Sequence, residues 1–183
     1  MRLTEPRVPA LEKDEWNADA QDVMSRFGDR EPFNIFKTLC NHPELMRRWL
    51  VFANHVLGKS TLPPREREIL ILRIGWLCQA GYEWGQHVLI GRDCGLTDDE
   101  IQAIKAGPDA ESWSDADRAL LRAVDELHAD AHISDATWSD LAQTWSTQQL
   151  MDLVFTVGQY NLVSMALNTL GVQPDRGLPR LED

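Results

Sequence analysis

An all-α fold is the expectation for this chain of 183 residues, and three observations carry it. Apolar residues recur at helical spacing between residues 13 and 170, no run alternates β-branched residues between hairpin turns, and helix start and stop signals punctuate the periodic stretches. Residues 1–12 hold two prolines and little periodicity, so they read as an extended arm; residues 172–183 read as a similar tail. Residues 13–171 between them form one expected domain, a length that buries a continuous core.

Taken in order, the spacing predicts a helix over 13 to 27 and a short one over 33 to 40. Pro43, preceded by His42, suits the first turn of a helix over 43 to 57, and Pro63 with Pro64 suits the start of one over 64 to 79. That helix is apolar almost all round, and the short turn Gln79 to Gly81 would set the next, over 82 to 94, antiparallel to it. Gly95 suits a left-handed C-cap, and Thr97 three residues before Glu100 makes a capping box for a helix over 97 to 106. Ser114 with Asp117 and Ser134 before Asp135 start helices over 114 to 131 and 134 to 143. The last, 146 to 170, is apolar on more than one face, so it is expected to be central and covered on most sides, partly by another subunit.

With 29 acidic against 18 basic side chains the net charge is -11, and no window gathers Lys and Arg into a stripe, which argues against nucleic acid and anionic membrane surfaces as partners. Arg73 interrupts the apolar run 69–77, and Asp152, Gln159 and Asn161 interrupt 150–167, so no membrane-spanning helix is expected. The N-terminal residues lack an apolar leader core, and a cytoplasmic location is the expectation. Cys40, Cys78 and Cys94 form an odd set with no CxxC pair and no metal-ligand spacing, as expected of reduced thiols in the core. His128 and His132 are four apart near Asp125 and Asp130, but no HExxH motif accompanies them, and no metal is expected.

The constellation that could carry chemistry is Glu68, Glu83 and His87. Glu83 and His87 lie four apart and share a helix face; the imidazole can take and give a proton, and the carboxylate can orient it and favour its charged form. The same spacing also fits an exposed ion pair of little consequence. Glu68 opens the run Ile69-Leu-Ile-Leu, where a carboxylate beside buried surface either pairs or has a raised pKa; a first-turn dipole contact, or a pair with Arg65 or Arg73, would also account for it. Arg73 wants a carboxylate, either Glu68 or an acidic substrate. Tyr82 and Trp84 flank Glu83 and, with Trp76, offer aromatic surface for a flat ligand or for packing.

The runs Arg65-Glu-Arg-Glu68-Ile-Leu-Ile-Leu-Arg73, Tyr82-Glu83-Trp84-Gly-Gln-His87 and Gly95-Leu-Thr-Asp-Asp-Glu-Ile101 together resemble the carboxymuconolactone decarboxylase family and its alkylhydroperoxidase D-like branch. The resemblance, centred on residues 65 to 105, implies an alkylhydroperoxidase D-like helical bundle assembled as a homotrimer or homohexamer, its site near subunit contacts. In the peroxidase branch a Glu relays protons to a CxxC followed by His; here Ala80 and Glu83 stand at the cysteine positions, so the redox sulfurs are missing. The resemblance therefore implies the decarboxylase-like branch: a cofactor-free lyase or isomerase acting on a small unsaturated carboxylic acid or lactone from aromatic catabolism. It gives His87 as acid/base, Glu83 as its orienter and Glu68 as relay, with Tyr82, Trp84 and Arg73 as substrate-binding candidates. The alternatives are a peroxidase working through a lone thiol at Cys78, and a non-catalytic ligand-binding or assembly protein in which the three side chains merely tie helices together.

Overall fold

The structure, a computed structural model, describes residues 2–28 and 31–183; Met1 of the arm lies outside the described residues. Among the described residues the chain forms α1 (Ala18–Met24), α2 (Asn34–Leu39), α3 (Pro43–Gly58), α4 (Pro64–Leu77), α5 (Gly81–Asp93), α6 (Asp98–Ala106), α7 (Asp115–Asp130), α8 (Asp135–Ala142) and α9 (Thr147–Leu170). The predicted local signals operate as such. Thr97 and Glu100 form a reciprocal capping box, Ser146 and Gln149 form another, and Ser114 and Ser134 accept from the backbone N–H groups of Asp117 and Thr137.

The helix expected over 13 to 27 is instead three pieces. A 3-10 turn at Lys13–Glu15 ends in extended backbone at Trp16, α1 starts where the Asn17 side chain accepts from Ala20 N at 2.9 Å, and a second 3-10 turn covers Ser25–Phe27. Helical periodicity spans the break because Leu11, Trp16 and Phe27 pack on the same small cluster as Val23 and Met24, while Asn17 prefers to cap.

Helix α4 is the axis of the molecule, and its residues 68–75 are all buried. Leu70, Ile71 and Ile74 pack against Leu120, Ala123 and Val124 of α7 and Leu153 and Val157 of α9. Ile69 and Leu72 face the other way, toward Trp84 and Val88 of α5 and Ile101 and Ile104 of α6. Neighbours on opposite sides explain why this helix lacks a polar stripe. A tight turn through Gln79 (φ 51°) folds α5 back along α4. The two helices approach closely at Gly75, where a Cβ would stand 3.4 Å from Glu83 Cγ, and at Gly91, where one would meet Leu96 at 3.0 Å and Leu72 at 3.4 Å.

Arm and tail both lie along the helical body. The backbone N–H groups of Arg7 and Val8 donate to Leu170 O, that of Leu11 donates to Lys37 O, and Val172 and Leu181 are buried. Contrary to the membrane expectation from interrupted apolar runs, α9 is long and apolar enough to cross a bilayer by those two measures alone. Half of its most apolar window is buried inside the protein, as befits a core helix.

Candidate functional site

Glu68 enters the site from the second turn of α4 and is fully buried. A carboxylate there persists only with partners, and it has two. Its Oε2 lies 2.6 Å from His87 Nδ1 on α5, and its Oε1 accepts from Arg67 Nε at 3.0 Å. On the other side of the imidazole, Nε2 stands 3.1 Å from Glu83 Oε1. That contact has ion-pair distance but not the direction of a hydrogen bond, and Glu83 Oε1 has no other hydrogen-bond partner among the described residues. The imidazole is thus gripped at Nδ1 and only loosely opposed at Nε2.

The electrostatics follow from this arrangement. Burial by itself would drive the proton off His87, but the charges of Glu83 and Glu68, and the hydrogen bond to Glu68, outweigh it and raise the pKa from 6.5 to about 10. The imidazolium is therefore the resting form at neutral pH. With Arg67 it balances the two carboxylates, so the buried group carries no net charge. Tyr160 of α9 sets its ring edge-on to the imidazole at 4.8 Å between centroids, and burial followed by the charges of Glu83 and Glu68 keeps its hydroxyl protonated.

His87 and Glu83 line a cavity of about 180 Å³. Its remaining polar lining includes Gln159 and Tyr160 of α9, and its apolar walls include Phe36 of α2, Trp49 and Leu50 of α3 and Ile90 of α5. The helices before residue 60 thus roof the site. A clasp from the tail closes one side: Asp175 accepts from Tyr82 Oη at 2.7 Å, Gln86 Nε2 at 2.8 Å and Asn34 N at 3.1 Å.

The structure brings Glu68, Glu83 and His87 together and treats the three substrate-binding candidates differently. Tyr82 lines the cavity, but its hydroxyl is committed to Asp175 and to Ile35 N, and burial and then Asp175 push its pKa upward. Trp84 packs into the core with Trp76, under Lys105, and is not among the cavity-lining side chains. Arg73 pairs with neither Glu68 nor the cavity. It forks onto Asp125 at 2.7 and 2.8 Å, and Nη1 donates to the carbonyls of Ile104 and Lys105, so every face of the guanidinium is taken up by structure. Sequence reasoning missed Arg67, whose only signal was adjacency to Glu68, and it missed Tyr160 and Trp49, which are remote in sequence and came without a motif.

Cys78 is half-buried, donates to Asn161 Oδ1 at 3.2 Å and has a pKa raised chiefly by burial, the opposite of an activated thiol. His128 and His132 join no group of three metal-ligating side chains among the described residues.

Residues 43–126 match the carboxymuconolactone decarboxylase family, and the match contains all three members of the buried group. The match spans just under half of the chain, and over those residues the chain is similar to this family. The three-dimensional comparison agrees with that at the level of fold. A peroxidase-related protein of Ralstonia eutropha JMP134 with an alkylhydroperoxidase AhpD core superposes with a TM-score of 0.80 at 19% identity, over 93% of each chain. A peroxidase-related protein of Silicibacter sp. TM1040 gives 0.77 at 16% identity over 96% of each. The debrominase Bmp8, solved in complex with 2,3,4-tribromopyrrole, gives 0.73 at 13% identity over 94% of each. No curated protein matches the chain. This chain lacks a CxxC pair and holds the Glu68, Glu83 and His87 group in an all-α, AhpD-like bundle.

Proposed function

We propose that this protein is a cofactor-free lyase or isomerase that moves a proton on a small unsaturated carboxylic acid or lactone. The observation that carries the reading is the single imidazole held between two buried carboxylates at the edge of a largely apolar pocket. Nδ1 is occupied by Glu68, so Nε2 is the nitrogen available to a ligand. In a decarboxylation the scissile carbon–carbon bond breaks, the substrate carboxylate leaves as carbon dioxide, the bond's electron pair passes into a conjugated enolate, and the Nε2 proton of the imidazolium adds to carbon; a proton from solvent then restores the imidazolium. Glu68 and Arg67 act as positioning residues that hold the ring and its charge. General acid–base assistance of this kind is worth about 10²–10⁴ in rate.

The test is a panel of unsaturated lactones and acids assayed with wild type, His87→Ala and the more conservative His87→Gln. Loss of about 10²-fold or more in kcat in both variants, with helical content unchanged by circular dichroism, is expected. Turnover unaffected by either variant would overturn the reading.

We also propose a homotrimer or homohexamer. Support comes from the large apolar side chains left exposed along one side of α9, Met151, Phe155, Leu162 and Met165, with Phe52 of α3 set edge-on to Phe155.

A further inference from the structure

The proposed reaction leaves the charge of the substrate open, and the cavity speaks to it. Among the described residues no Lys or Arg lines the space in front of His87. Arg67 is turned onto Glu68 and Arg73 onto Asp125, so neither is free to meet a substrate carboxylate. The cavity already faces the Glu83 carboxylate, with that of Glu68 buried behind the imidazole. A ligand that brought more negative charge would have to leave it buried against Glu83 with only a shared imidazolium to answer it. The walls are aromatic and aliphatic, and about 180 Å³ is the size for one ring, since a cavity of about 150 Å³ holds benzene.

On the carboxyl–imidazole pair, Glu83 Oε1, which is buried, and His87 Nε2, which lies beside it but off line, have no hydrogen-bond partner among the described residues, and neither has the buried Trp49 Nε1 of a lining residue. The first two are an acceptor and a donor. A ligand satisfies both if it offers a carbonyl oxygen to Nε2–H and an acidic C–H to the Glu83 carboxylate.

We propose, resting on the proton-transfer reading above, that the substrate is an uncharged, single-ring lactone or ketone with a β,γ double bond, and that the site isomerises it to the conjugated form with Glu83 as the base. Glu83 removes the proton from the α carbon, the electron pair of that C–H bond passes into a dienolate whose oxygen is held by Nε2–H, and Glu83 returns the same proton to the γ carbon. One C–H bond breaks, one forms, the double bond moves, and no oxidant, reductant or water is consumed. Glu83 becomes a catalytic residue rather than only the orienter of His87.

The probes are α-angelica lactone, an uncharged β,γ-unsaturated ring, and its counterpart carrying a carboxymethyl group in place of the methyl. Conversion to the conjugated lactone is followed by absorbance and solvent deuterium incorporation by NMR, with wild type, Glu83→Gln and His87→Ala. Isomerisation of the uncharged lactone with kcat/KM at least about tenfold above that of the charged one is expected. Glu83→Gln should lose about a hundredfold in kcat while still binding the uncharged lactone, read from tryptophan fluorescence. A preference for the carboxymethyl compound with turnover that still depends on His87 would overturn the uncharged substrate and leave the proton-transfer reading standing. Full activity in Glu83→Gln would overturn its role as base. No conversion of either lactone to its conjugated form by folded wild type would overturn this inference and the proton-transfer reading together.

Discussion

His87 keeps its proton to about pH 10 because Glu83 and Glu68 face it in a buried setting, and this makes the site legible to pH experiments. An unfolded chain releases that proton near 6.5, so the folded state binds it more tightly. The resulting stabilisation is complete below pH 6.5 and is lost as pH rises toward 10. Urea midpoints measured across that interval should fall with pH in wild type and fall less in His87→Gln. Glu68→Gln preserves the shape of a partner for Nδ1 but deletes one of the two charges that hold the proton. The alkaline limb of its pH–rate profile should therefore move to lower pH, whereas an exposed and inconsequential Glu68 would leave the limb in place. The helix-sharing of Glu83 with His87 could be read from their spacing, since four residues make one turn. The pairing of Glu68 with His87, 19 residues apart, could be suspected only from a carboxylate beside an apolar run.

Helices α4 and α5 carry the site because two glycines let them approach and because α4 is walled in by α5, α6, α7 and α9. Arg73 belongs to that scaffold. Its fork onto Asp125 ties α4 to α7, and its carbonyl contacts tie α4 to the end of α6. Asp125→Ala leaves a guanidinium whose side chain is only 8% exposed without its counter-charge, which should cost about 3 kcal/mol or more in chemical denaturation. KM should remain unchanged, a split that a substrate-binding Arg73 would not produce. Most helix limits followed from capping residues because capping is local chemistry. The break at Trp16 and Asn17 did not, since apolar periodicity reports which residues share a core and is blind to whether the backbone between them is continuous.

At the scale of the whole molecule, arm, tail, α2 and α3 converge on α5 and α9. Asp175 of the tail joins α2 to α5 through Asn34, Tyr82 and Gln86, so the cavity wall depends on a segment more than eighty residues from His87. The exposed apolar side of α9 has a testable consequence. Wild type should sediment as a multiple of the 20.8 kDa chain, and Phe155→Asp, which puts a charge where a side chain is 55% exposed, should shift the population toward monomer. Monomeric wild type would remove the case for assembly.

The sequence by itself determined that the chain is helical, where most helices start and stop, and which imidazole and carboxylates could work together, because caps, periodicity and four-residue spacing act within one or two turns. Only the tertiary structure decided that Arg73 is structural, that Arg67 supports Glu68, that Trp84 is core, and that Phe36, Trp49 and Tyr160 shape the cavity. Those assignments depend on which groups meet across tens of residues, and burial changes the cost of every charge it encloses.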